Sequence, residues 1–90
     1  MPQISKQKRD KISEQILHHL FQISPQSDFT VRIAESIIRD EEFTKSLLQG
    51  LEKNKLVVKI TKNHQGIDYS RRERWRLSDK AYEVFKRYQK

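Results

Sequence analysis

At 90 residues the chain is long enough for one hydrophobic core and too short for two, since single cores run to about 100 to 150 residues. Apolar and charged residues each make up 34% and the formal net charge is +7, which implies a small core under a densely ionic surface. The absence of cysteine excludes a disulfide, a thiolate metal site and a cysteine nucleophile. Short apolar runs such as Ile16-Leu17, Leu20-Phe21 and Val57-Val58 fall far below the roughly 18 residues of a membrane span. The first twenty residues carry four bases but no apolar h-region, because Ser13, Glu14 and Gln15 interrupt the apolar positions. The expectation is a cytoplasmic protein without an export signal, folded as a single domain over 1–90.

The first predicted helix covers about 5–22, with Ile12, Ile16 and Leu20 four apart and Leu17 and Phe21 on the same stripe. Ser24 before Pro25 stops it, because a residue preceding proline is pushed out of the α region. Thr30 reads as the N-cap of a short helix over 31–38, whose Ile33, Ala34, Ile37 and Ile38 share one side. After a tight connection near Arg39, Asp40 caps a third helix over 41–54, and Glu41 and Glu42 suit its positive N-terminal end. Phe43, Leu47, Leu48 and Leu51 form its inward stripe, leaving a wholly polar outward face.

From Leu56 the apolar period changes to two, which predicts a β-hairpin over 56–77 turning near Asn63 to Gly66. On the return strand Tyr69, Trp75 and Leu77 share one parity, and Arg72, Arg74 and Arg76 the other. Ser78 caps a last helix over 79–89, with Ala81, Val84, Phe85 and Tyr88 as its buried stripe. The charge is uneven along this order. Residues 1–54 carry eight bases and eight acids, whereas residues 55–90 carry eleven bases and four acids and so hold the whole excess. A face with that asymmetry suits a polyanion, with nucleic acid the first partner to consider.

Helix, helix, tight turn, helix, hairpin, helix is an α+β plan. The run Leu47-Leu48-Gln49-Gly50-Leu51-Glu52-Lys53-Asn54-Lys55-Leu56-Val57 resembles the end of a winged-helix recognition helix entering its first wing strand. Trp75-Arg76-Leu77-Ser78-Asp79-Lys80-Ala81 is similar to the strand-into-helix step after the wing in small prokaryotic transcriptional regulators. The resemblance, over about 5–89, is to the winged helix-turn-helix superfamily, with three helices, a β-hairpin wing and a C-terminal helix. Glycine is usual where Asn54 or Lys55 turns the chain and where Ala81 stands; Asn54 is expected to take the left-handed conformation instead.

The resemblance implies duplex DNA as partner, with the outward face of the third helix entering the major groove. Thr44, Lys45, Ser46 and Gln49 are its candidates: Lys45 for guanine edges or phosphate, Gln49 for adenine, Thr44 and Ser46 for backbone oxygens. Against this, Asp40, Glu41, Glu42 and Glu52 outnumber Lys45 and Lys53 on that helix. The wing candidates are Lys59, Lys62, Arg71, Arg72, Arg74 and Arg76, opposed only by Asp68 and Glu73; the arginine fork donates two hydrogen bonds to a phosphate. On an edge hairpin the same charges also prevent unwanted pairing. Lys6, Lys8, Arg9 and Lys11 form either a backbone-contacting arm or a solvated helix start.

No enzyme motif is present: the two glycines, Gly50 and Gly66, build no phosphate-cradling loop, and there is no nucleophile elbow. His18 and His19 are adjacent, hence about 100° apart on a helix, and no metal or other cofactor is expected. Members of the superfamily are usually dimers, and the apolar supply of the first helix suggests a homodimer through the terminal helices. The rival reading is a winged-helix module that docks on a protein in a transcription, replication or RNA-processing assembly, which the acids of the third helix favour. RNA binding by the wing stays open, because phosphate contacts do not distinguish the two nucleic acids.

Overall fold

The computed structural model describes residues 5–61 and 73–88. Its elements are α1 (Lys6–Ile23), β1 (Asp28–Phe29), α2 (Thr30–Ile37), α3 (Glu41–Lys53), β2 (Val57–Ile60), β3 (Arg74–Leu77) and α4 (Asp79–Tyr88). Helix α1 begins where the Ser5 hydroxyl accepts from the Lys8 N–H, and α3 begins where the Asp40 carboxylate accepts from the Phe43 N–H. Glu41 and Glu42 lie in the first turn of α3, where the helix dipole favours them. Ser78 caps α4 as expected, its hydroxyl accepting from the Ala81 N–H at 3.1 Å.

Both α2 and α3 close on a left-handed residue. After α2 it is Ile38 (φ 56°), and after α3 it is Lys55 (φ 62°), while Asn54 stays at φ −85°. The left-handed position is therefore Lys55, one residue later than expected, because the N–H of Lys55 reaches Glu52 O and that of Leu56 reaches Leu51 O. That pair of bonds is the Schellman closure, which sets the left-handed residue one beyond the last capping residue. Arg39 N–H to Ala34 O and Ile38 N–H to Glu35 O repeat it after α2. Ile38 was expected on the buried side of its helix; the left-handed turn instead throws it outward, 88% exposed.

The sheet has the order β1-β3-β2, with both pairings antiparallel. β1, two residues long, has no periodicity to announce it, and only its pairing with β3 makes it a strand. Residues 62–72 of the expected hairpin, Tyr69 included, lie outside the described residues. The strands pair Val57 with Leu77 and Lys59 with Trp75, so these four share a face, whereas Val58 with Arg76 and Ile60 with Arg74 share the other.

Four helices and one face of the sheet enclose the core. Ile12, Ile16, Leu17 and Leu20 of α1 meet Ile33 of α2, Leu47, Leu48 and Leu51 of α3, Val57, Trp75 and Leu77 of the strands, and Ala81 of α4. Phe43, read as core, is only half-buried, and Thr44 takes a fully buried place beside it. α4 adds less than its sequence suggests: Ala81 is buried, but Val84 is 46% and Tyr88 82% exposed. Its inner edge meets α1 through aromatic rings, Phe21 lying 5.3 Å from Tyr82 and 6.1 Å from Phe85 between centroids. The α1 stripe, offered above as a dimer surface, is mostly turned into this core.

Candidate nucleic-acid interface

The outward side of α3 carries Lys45, Ser46 and Gln49, all exposed. They face away because Leu47, Leu48 and Leu51 fix the opposite side of the helix in the core. Thr44 does not join them. It is fully buried, and its hydroxyl donates to Asp40 O at 2.8 Å inside its own first turn, so it has no surface to offer a DNA backbone. Ser46 donates to Phe43 O at 2.7 Å but stays on the surface. Lys45 is engaged: its Nζ lies 3.7 Å from Glu73 Oε1, at the start of β3.

The wing candidates divide by strand register. Lys59 stands opposite Trp75 and therefore shares the core-side face, half-buried, apart from Arg74 and Arg76. Arg74 and Arg76 lie on the other face with Ile60 and Val58, apolar neighbours along which their methylene stems can rest. Arg74 also pairs with Phe29 of β1, and its guanidinium lies 5.9 Å from the centre of that ring, within the range of a cation–π contact. Arg76 donates to Leu77 O at 3.0 Å and reaches Asp79 Oδ1 at 3.4 Å, bracing the step from β3 into α4. Lys62, Arg71 and Arg72 lie outside the described residues.

A polar network behind these side chains joins α2 to β3. The backbone N–H and the hydroxyl of Thr30 both donate to Glu73 O at 3.3 Å, and the Thr30 hydroxyl accepts from Trp75 Nε1 at 2.8 Å. Thr30, expected as the N-cap of α2, is instead its first residue; Phe29 holds the cap position with no side-chain bond. The sequence offered no signal for this role, because the partners of Thr30 are more than forty positions away.

His19 Nε2 lies 3.1 Å from Asp28 Oδ2, tying α1 to β1, while His18 is exposed. No group of three metal-binding side chains occurs among the described residues, and none of the described helices is long and apolar enough to cross a membrane.

No protein-family model matches the chain, and no curated protein matches it. Solved structures do. A Staphylococcus aureus MepR–DNA complex superposes with a TM-score of 0.67 at 24% identity, over 92% of this chain and 71% of that one. MepR described as a transcription regulator of the multidrug efflux pump MepA gives 0.68 at 21% identity, over 92% and 64%. A mutant of Lactococcus lactis ZitR in complex with DNA gives 0.61 at 22% identity, over 82% and 48%. The chain thus spans about half to seven-tenths of the length of these structures. With its helix order and its three-stranded antiparallel sheet, the chain has the winged helix-turn-helix fold.

Proposed function

We propose that the chain binds duplex DNA as a small transcriptional regulator in the cytoplasm, acting by binding and not by catalysis. The observation that carries this reading is the exposed ridge of Lys45, Ser46 and Gln49 on α3, in a fold whose counterparts include structures with DNA. Beside it, β2 and β3 flank the segment that holds Lys62, Arg71 and Arg72. In this reading Gln49 and Lys45 meet base edges and Ser46 a backbone oxygen. Lys59, Lys62, Arg71, Arg72 and Arg74 supply phosphate contacts, while Arg76, held by Leu77 O and Asp79, braces the step from β3 into α4. Val84 and Tyr88 leave apolar surface on α4, which supports a homodimer through the terminal helices.

A gel-shift titration with genomic fragments at two salt concentrations tests the proposal. Binding that weakens steeply with salt is the expected result, and absence of binding at roughly 50 mM salt overturns it. The exposed acids Glu41 and Glu42 at the start of α3 favour a second reading, docking on a protein partner. That reading takes over if charge-reversed α3 variants lose a protein partner while DNA binding is absent.

A further inference from the structure

Lys45 and Glu73 are 28 positions apart and come from different elements, yet their charged groups meet at the edge of the candidate interface. The setting of Glu73 is not that of an ordinary surface acid. Its side chain is 17% exposed, and its Oε2 is shut off from solvent with no hydrogen-bond partner among the described residues. Its carbonyl accepts both bonds from Thr30, so the backbone at this point is tied to the start of α2. A freely exposed ion pair would be too weak to influence binding. A carboxylate that has already given up part of its hydration depends more heavily on a cation beside it, which among the described residues is Lys45.

To Lys45, this carboxylate is chemically what a DNA phosphate would be: an anionic oxygen acceptor. We infer that Glu73 is an internal competitor for Lys45, neutralising the lysine of the α3 face in the free protein and so limiting sequence-independent binding. The inference rests on the DNA-binding reading above and deepens it by naming the residue that regulates the site. A phosphate gains Lys45 only by displacing Glu73, which is then left partly desolvated and uncompensated next to a polyanion. Phosphate attraction alone therefore gains little at this position.

The test is the log–log salt slope of binding to a random-sequence duplex, measured for the unmodified chain, Lys45→Gln, Glu73→Gln and the double variant. A lysine neutralised from within adds no counterion release, so Lys45→Gln alone leaves the slope unchanged. Glu73→Gln preserves side-chain size and the Thr30 bonds to the backbone, and it unmasks one cation. The slope then steepens by about 0.9, and the affinity lost between roughly 50 and 200 mM salt grows about 3.5-fold. Adding Lys45→Gln removes that steepening. A slope that flattens by about 0.9 in Lys45→Gln alone overturns the inference, as does an unchanged slope in folded Glu73→Gln. Lys45 is exposed on a helix surface, so a flattened slope in its single variant still overturns the inference even if Glu73→Gln fails to fold. If the unmodified chain binds no DNA, the proposed function falls and this inference with it; salt-dependent binding in which the two substitutions act independently overturns this inference alone.

Discussion

The indole N–H of Trp75 donates to the hydroxyl of Thr30 at 2.8 Å, joining β3 to the first turn of α2 across 45 positions of sequence. Trp75 is fully buried, and a buried indole N–H needs an acceptor. Thr30 supplies one, and its own hydroxyl donates a hydrogen bond to Glu73 O. The contact sets the distance between the helix pair and the wing strands, and hence between Lys45 and Glu73.

Thr30→Val removes the acceptor while keeping the shape, leaving the Trp75 N–H unsatisfied, and is expected to destabilise by about 1 to 3 kcal/mol. Thr30→Ser retains the acceptor and should lose less. Trp75→Ala empties the whole site and should lose about 3 to 5 kcal/mol. Chemical denaturation of the three variants gives the order; a Thr30→Val protein as stable as the parent would contradict the hydrogen bond.

Glycine is absent where the backbone of α2 and α3 needs it and present where it does not. Ile38 and Lys55 hold positive φ, whereas Gly50 lies within α3 with open space around the position of a Cβ. A left-handed conformation disfavours a residue with a Cβ by roughly 1 to 2 kcal/mol, and glycine inside a helix is worse than alanine by about 1. Ile38→Gly, Lys55→Gly and Gly50→Ala are each expected to stabilise by about 1 kcal/mol, raising the melting temperature by about 4 to 8 °C. Thermal unfolding followed by circular dichroism checks each variant.

Arg76 already bonds to Leu77 O and Asp79. Arg76→Gln is therefore expected to lower stability by about 1 kcal/mol while hardly changing the salt slope. Changing Arg72, Arg74 and Arg76 together would flatten the slope by about 2.7 if all three met phosphates; with Arg76 occupied the expected value is about 1.8. Measuring the single and triple variants on the same duplex separates the two values.

Gln49 is exposed and its side chain makes no hydrogen bond among the described residues, so Gln49→Ala should leave stability nearly unchanged. On the strongest-binding genomic fragment it is expected to lose about 1 to 3 kcal/mol, with binding to random DNA largely spared. Equal losses on both duplexes would show that Gln49 reads no base.

Tyr88 is 82% exposed at the end of α4. If the terminal helices form the dimer, Tyr88→Lys shifts the protein toward monomer in sedimentation experiments without lowering its unfolding temperature at high dilution. A Tyr88→Lys protein that sediments like the parent dimer places the contact elsewhere.

The sequence by itself determined the helices and their order. Ile12, Ile16 and Leu20 recur at helical spacing, Asp40 and Ser78 stand at helix starts, and Trp75 and Leu77 keep the parity of a strand with one buried face. These features depend on neighbours within a few positions, where spacing alone settles which side chains share a face. The charge asymmetry that points to a polyanion was equally legible, since charge needs no geometry to be counted. What only the tertiary structure decided depends on partners far along the chain. β1 exists because β3 lies beside it, Thr44 is buried because the helices close over it, and Lys59 parts from Arg74 and Arg76 because of strand register. Tyr88 stays exposed because α4 reaches the core only along its inner edge, through Ala81, Tyr82 and Phe85. The Lys45–Glu73 pair is of the same kind: two unremarkable charges in the sequence, brought together when Trp75 seats on Thr30 and fixes β3 against the helices.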